Sequence, residues 1–188
     1  MLAIIPARRG SRRLPGKNTR TFIDKPLILW TIKQAKRVEE FTGVVVTTDD
    51  PAVQAICREH NTRCISRPME LAREDTPTWW AVEHACYTQN WYGPVCLLQP
   101  TSPNRTLKQI HNAIDIFNAT NQNVTTVFSE GEPNGSIYLR HWKRWDWLGK
   151  EIVDAETPDI DTQYDWDLAE NYMRQKLAAA PHRTPKTN

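Results

Sequence analysis

No apolar run in this 188-residue chain approaches the ~18 residues of a membrane-spanning helix. The apolar stretch Met1–Ala7 is too short for a signal peptide and an arginine pair follows it directly, so a cytoplasmic setting is expected. Asn104, Asn118 and Asn123 each open an N-x-T triplet, which means nothing without secretion. Cysteine is scarce: Cys57, Cys64, Cys86 and Cys96 form no C-x-x-C pair, and no H-E-x-x-H or Cys/His cluster accompanies them. A zinc site and a disulfide framework are therefore not expected, and reduced, mostly buried thiols are the plain reading. There is no internal repeat. Neither sign of charge is in excess: 24 Lys+Arg against 22 Asp+Glu leave a net charge of +2. That argues against a general nucleic-acid or membrane-surface binder.

The near-zero balance conceals two poles. Six basic residues (Arg8, Arg9, Arg12, Arg13, Lys17, Arg20) fall between Arg8 and Arg20 with no acid among them. Seven acids (Asp154, Glu156, Asp159, Asp161, Asp165, Asp167, Glu170) fall between Asp154 and Glu170 with no base among them.

The length suits one domain, expected over residues 1–177, with residues 178–188 as a frayed, Pro-containing tail. Leu2–Ala7 reads as a buried strand, and Gly43–Thr48, a β-branched run, as another. Leu27–Val38 has helical spacing, and Asp50-Pro51 reads as an N-cap with Pro at N1. Arg63–Ile65, Pro94–Leu98, Val124–Phe128 and Ser136–Leu139 are further strands. Helices are expected around Trp79–Cys86, Leu107–Phe117 and Asp165–Ala179. Alternating strands and helices imply an α/β fold: three layers, α/β/α, around a mainly parallel sheet. In such folds ligands sit beyond the carboxyl ends of the strands. The loops after Ala7, Thr48 and Leu98 should share that rim.

The loop Arg8–Asn18 carries the basic pole to the rim. Gly10 and Gly16 permit positive φ and close backbone approach, exposed amides in such a turn make an anion nest, and Arg8, Arg12 and Lys17 add fixed charge. Polyphosphate is the ligand that needs all of these together. The spacing matches neither the P-loop nor G-x-G-x-x-G. In the acidic pole, Asp159 and Asp161 stand at i and i+2, so on an extended segment they point the same way and offer oxygens to a hard cation. Asp49 and Asp50 are a rival pair, but Asp50 is better explained as the helix cap. No histidine is paired with a nucleophile, and no general base is assigned.

Residues Ile4–Asn18 resemble the signature of the sugar-acid cytidylyltransferases, most closely the N-acylneuraminate cytidylyltransferase (CMP-sialic acid synthetase) family. The likeness continues in order through Asp24–Leu27, Thr47–Asp50, Arg67–Ala72 with Asp75–Pro77, Leu97–Pro103 with Arg105, Pro133–Tyr138, and Asp159–Thr162 with Asp165-Trp166. The Kdo cytidylyltransferases share Leu14–Lys17 but differ more after Leu98. The resemblance implies a Rossmann-like nucleotide-diphospho-sugar transferase fold. It implies transfer of CMP from CTP to the anomeric hydroxyl of a nine-carbon keto-sugar acid (sialic, legionaminic or pseudaminic), with release of pyrophosphate. Arg8, Arg12 and Lys17 would meet the triphosphate. Ala7, Gly10, Ser11, Asn18, Arg67 and the Thr76–Thr78 segment, with Thr76 as its named contact, would complete the nucleotide side, Gln99 would face the acceptor sugar, and Asp159 and Asp161 would hold Mg²⁺. Arg8, Lys17, Asp159 and Asp161 would carry the catalysis.

Two features depart from the family pattern. Relatives carry a long dimerisation segment between Thr101–Pro103 and the Asn134-Gly135 block, where this chain has only a helix, a strand and Phe128–Pro133, so the family dimer is not expected to form in the usual way. The run His141–Trp147 interleaves tryptophan with Lys143 and Arg144, as single-strand nucleic-acid binders do. A patch covering apolar surface is the preferred reading, because the chain lacks a basic face. Arg140 or Lys143 could stand in for the missing carboxylate-binding residue. The alternatives to the CMP-sugar reading are a nucleotidyltransferase of the same fold with another sugar or nucleotide, or an inactive nucleotide- or nucleic-acid-binding module.

Overall fold

A computed structural model describes residues 1–142, 149–153 and 159–179. In chain order the strands are β1 (Leu2–Pro6), β2 (Thr21–Phe22), β3 (Lys25–Pro26), β4 (Gly43–Thr48), β5 (Arg63–Ser66), β6 (Val95–Leu98), β7 (Val124–Val127), β8 (Pro133–Arg140) and β9 (Lys150–Val153). The α-helices are α1 (Leu27–Ala35), α2 (Pro51–Glu59), α3 (Thr78–Thr88), α4 (Leu107–Thr120) and α5 (Gln163–Ala179). Seven strands form one sheet in the order β5-β4-β1-β6-β8-β7-β9, while β2 and β3 make a separate two-stranded ribbon. Among the described strands of this sheet only β8 runs against the rest: it is antiparallel to both β6 and β7, whereas β1, β4, β5 and β6 pair in parallel and β9 is parallel to β7.

The two-residue period of the strands sorts the core. On one face Ala3, Ile5, Val46, Cys96 and Leu98 meet Ile28, Leu29 and Ile32 of α1, Val53 and Cys57 of α2, and Ile110, Ile114 and Phe117 of α4. On the other, Leu2, Ile4, Val45, Val95 and Leu97 meet Val82, Ala85 and Cys86 of α3. Each fully buried Ile or Leu here contributes about 1.5–3 kcal/mol. The result is the three-layer α/β/α, Rossmann-like architecture expected of the alternation. The four cysteines are free thiols, three of them buried.

Helix ends follow the sequence signals. Asp50 caps α2, its Oδ1 accepting from Ala52 N at 2.9 Å with Pro51 in the first turn. Asp50→Ala should cost about 1 kcal/mol, read from the urea midpoint at unchanged m value. Thr106 and Gln109 close a capping box on α4.

A third, smaller cluster positions the site. α5 lays Trp166, Ala169 and Met173 over Leu14, Phe22, Leu27 and Ile160. Phe22 meets Trp166 edge to face at 5.3 Å, and the Arg20 guanidinium lies 4.5 Å from the Trp166 ring. The acidic segment is thereby pinned against the basic loop.

Of the aromatic run His141–Trp147, His141 and Trp142 are described: Trp142 meets Tyr87 and Tyr92 edge to face at 5.2 and 5.7 Å, and packs against the α3-side core. Lys143–Trp147 lie outside the described residues, as does most of the expected tail, although α5 continues to Ala179. Arg140 does not reach the acceptor side of the sheet, contrary to the role expected of it. Because β8 is antiparallel, Arg140 pairs in register with Val95, at the amino end of β6 and the rim opposite the ligand side. It is buried there, donating to Val124 O at 2.7 Å and Thr125 Oγ1 at 2.6 Å.

Candidate active site

The sheet order reverses between β1 and β6, which is where an open α/β sheet leaves a crevice. A cavity of about 280 Å³ opens there. Its lining includes Pro6 and Arg8 from the end of β1, Gly10, Ser11, Arg12, Arg13, Lys17 and Asn18 from the basic loop, and Gln99, Pro100 and Thr101 from the end of β6. Arg67, Glu74, Thr78, Asp159 and Asp161 complete it. Nearly every residue that the sequence singled out converges here. Two do not line the cavity. Ala7 is buried in its wall, accepting from Thr48 Oγ1. Thr76 donates to Glu70 O at 3.0 Å, and Thr78 lines the cavity instead.

The basic loop is held by its own backbone and by β4. Gly16 takes φ +68°, where a side chain would be strained, while Gly10 does not adopt positive φ and an added Cβ there would meet only Arg8 Nη1, at an ordinary 3.9 Å, so neither of the reasons expected for glycine holds at position 10. Arg9 N donates to Asp49 Oδ1 at 2.8 Å, so Asp49 anchors the loop. Asn18 Nδ2 donates to Arg8 O at 3.2 Å, tying the two ends of the loop together. Arg67 is buried, with Nη2 donating to Thr47 O at 2.8 Å. Burial, with a lesser push from Arg8, lowers its pKa to about 10 against the pull of Asp49, so it remains charged at neutral pH.

Across the cavity, Ile160 explains why the two aspartates face inward together. Its side chain is fully buried in the α5 cluster, its N–H donates to Thr101 O at 2.9 Å, and its carbonyl accepts from Lys17 Nζ at 2.7 Å. Asp161 accepts from Lys17 Nζ at 2.9 Å and from Arg13 Nη2 at 2.5 Å. Arg12 pairs with Glu74 at the mouth. Asp159 is different: burial first, and then the neighbouring Asp161, raise its carboxyl pKa, against a hydrogen bond from Thr101 and the charges of Lys17 and Arg105. Its Oδ1 is buried without a hydrogen-bond partner among the described residues.

Gly135, at φ +77°, lies against Asp159: an added Cβ would come within 3.3 Å of the carboxylate. Asn134 holds this bend, its Oδ1 accepting from Ser136 N at 3.0 Å and Thr126 Oγ1 at 2.7 Å. Gly135→Ala should therefore cost about 1–2 kcal/mol from positive φ alone and displace Asp159. The check is thermal unfolding beside turnover, with turnover expected to fall further than stability. Behind Gln99, Arg105 is 1% exposed and donates to Gln99 O at 2.6 Å and Ser136 O at 3.1 Å. Arg105 belongs to a family-like block but has no role legible in the sequence, and neither do Arg13, Glu74 and Thr101. Arg13 was visible within the basic run; the parts played by Glu74 and Thr101 depend on contacts across more than fifty residues.

The family model for cytidylyltransferases matches residues 2–158. The chain belongs to the cytidylyltransferase family. Among its relatives, an N-acylneuraminate cytidylyltransferase of Escherichia coli is 37% identical over 139 residues, covering 73% of this chain and 33% of that protein. The chain thus spans about a third of that relative's length. A CMP-N,N'-diacetyllegionaminic acid synthase of Legionella pneumophila is 35% identical, covering 92% of this chain and 96% of the relative. That alignment runs over 229 positions, more than the 188 residues of this chain, so the relative contains insertions that this short cytidylyltransferase lacks. Solved structures agree on the fold. A CMP:2-keto-3-deoxy-manno-octonic acid synthetase complexed with CTP superposes with a TM-score of 0.72 at 18% identity, covering 94% of this chain and 99% of its own. A cytidylyltransferase from Leptospira borgpetersenii superposes at 0.67 with 16% identity, covering 97% of each chain. Among the described residues no helix is long and apolar enough to cross a membrane.

Proposed function

We propose that this cytidylyltransferase transfers CMP from CTP to the anomeric hydroxyl of a nine-carbon keto-sugar acid of the sialic, legionaminic or pseudaminic type. The observation that carries the reading is that Arg8, Arg12 and Lys17, Asp159 and Asp161, and Gln99 just past the end of β6 line one and the same cavity. The E. coli and Legionella relatives support the choice of acceptor.

In the reaction the hydroxyl oxygen attacks the α-phosphorus of CTP. The bond from that phosphorus to the bridging oxygen breaks, and pyrophosphate leaves with the electron pair. Charge gathers on the leaving diphosphate, where Arg8, Arg12 and Lys17 are placed to neutralise it. Asn18 and Arg67 line the nucleotide side, and Gln99 offers its amide to the acceptor. Holding acceptor and nucleotide in line supplies much of the remaining acceleration.

The residues fit Mg²⁺. Asp159 has a buried carboxylate oxygen without a partner among the described residues, and there no cluster of three or more His, Cys, Asp or Glu could hold a metal by protein ligands alone. A carboxylate pair suits a cation that keeps waters and takes phosphate oxygens. Asp159 and Asp161 would hold it, and when bound it supplies charge neutralisation to the phosphate oxygens. Asp161 is committed to Lys17 and Arg13 in the ligand-free chain. A triphosphate competing for those two cations would release Asp161 for this role.

The test is pyrophosphate release from each of the four nucleoside triphosphates with Mg²⁺, against sialic, legionaminic and pseudaminic acids and Kdo. Release is expected from CTP with a nine-carbon acid. Release that prefers another triphosphate, or Kdo over every nine-carbon acid, overturns the substrate assignment.

A further inference from the structure

Helix α5 has a second apolar stripe that the described residues leave exposed, apart from the Lys176 ammonium 5.9 Å from the Tyr172 ring. Trp166, Ala169 and Met173 are buried beneath it. Tyr164, Leu168 and Tyr172 are exposed by 75%, 48% and 38%. At 100° per residue these three lie within an arc of about 80°, well away from the buried face. Such a continuous stripe marks an interaction surface more than scattered single residues do.

Two properties of the stripe identify the partner. Its sequence is a palindrome about Leu168: tyrosine four residues before and tyrosine four residues after. Its charge is polar along the axis, with the acids Asp165, Asp167 and Glu170 toward the amino end and the bases Arg174 and Lys176 toward the carboxyl end. Asp167 and Arg174 fall within about 20° of one another on one flank. On the other flank Asp165 is already held by Asp161 N and by Thr162 N and Oγ1, and Lys176 by Asn104 O, so the first flank carries the pairing. A surface built this way is complementary to itself when reversed, as an isologous two-fold interface requires.

We infer that α5 pairs antiparallel with α5 of a second copy of this chain, with the two-fold axis passing at Leu168. Leu168 then meets its own equivalent, and Tyr164 meets Tyr172 of the other copy. Arg174 of each chain comes within about 8 Å along the axis of Asp167 in the other, a gap that an arginine side chain spans. Arg174 now binds Glu170 of its own helix at 2.9 Å, an exposed pair that can be shared or exchanged with little loss. One pair of helix stripes is smaller than the ~1,600 Å² of a standard interface, which places the dimer among weak, concentration-dependent associations. Because α5 begins directly after Asp161 and Thr162, pairing also steadies the segment bearing the two aspartates.

Sedimentation velocity on the full chain, from low micromolar to several hundred micromolar, tests this. The wild type should pass from monomer to dimer across that range. Leu168→Glu sets two carboxylates against each other on the axis and should weaken the dimer at least about tenfold, with helical circular dichroism and melting temperature unchanged because the position is exposed. Asp167→Lys alone should also weaken it, and Asp167→Lys combined with Arg174→Glu should restore it. A wild type that stays monomeric throughout overturns the inference, whether residues 180–188 or another protein covers the stripe. So does a dimer that Leu168→Glu leaves intact, or a double variant no tighter than Asp167→Lys.

Discussion

Asp159→Asn should lower kcat by about two to three orders of magnitude, the usual effect of removing one charged group aimed at a reacting phosphate or its metal, while the chain stays folded. At neutral pH the variant should melt no lower than the wild type. Burial raises the Asp159 carboxyl above its ordinary 3.8, so the folded state favours its protonated form. A group whose folded pKa is raised this way destabilises the fold when it is charged. The penalty is absent below 3.8, grows as pH climbs toward the raised folded value, and is constant above it. The neutral isostere does not carry it. Melting temperature against pH should therefore show the wild type losing ground to Asp159→Asn as pH rises through that window. Parallel curves would mean that Asp159 is not held under strain, and undiminished turnover would remove it from the catalytic set.

Arg105→Leu should be the most destabilising of the changes considered. Its guanidinium is 1% exposed and ties the carboxyl end of β6 to β8 through Gln99 O and Ser136 O. Loss of charge-assisted bonds at a buried position costs about 3 kcal/mol, or about 6–12 °C in melting temperature for a chain of this size. The same residue opposes the raised pKa of Asp159. Without it the carboxyl should protonate at still higher pH, shifting the acid limb of the kcat profile upward. Arg105→Lys keeps charge and loses the planar fork, so it should retain the pH profile better than the stability. Equal loss in both variants of stability and of pH profile would reduce Arg105 to a packing role.

Much of the fold could be read because its signals are local. The β-branched run Gly43–Thr48 is a strand with those bounds, and Asp50-Pro51 caps the helix it was expected to cap. The reversal of β8 had no such signal: a buried strand reads the same in either direction, and its orientation is set by the β7–β8 connection and by pairing with β6. That reversal is why Arg140, adjacent in sequence to functional blocks, lies at the wrong rim. The strand β9, Lys150-Glu-Ile-Val153, is short and half charged, and pairs with β7 only through tertiary context. At the site, the basic loop and the i, i+2 aspartates were visible as charge patterns. That Lys17 is bound to the Ile160 carbonyl and to Asp161, joining the two poles directly, could not be: the contact closes over 143 and 144 residues. The Thr76–Thr78 segment was legible, but which of its two threonines lines the cavity was not: Thr78 opens α3 and lines it, while Thr76 lies before the Pro77 cap and bonds Glu70 O.

The most direct test of the central claim follows phosphorus. Incubated with CTP, Mg²⁺ and a nine-carbon keto-sugar acid, the enzyme should convert the α-phosphate resonance of CTP into that of a sugar phosphodiester, with pyrophosphate appearing in equal amount by ³¹P NMR. The Asp161→Ala variant should still bind CTP and show neither signal. CTP binding without any phosphodiester, with all three nine-carbon acids, would contradict the account.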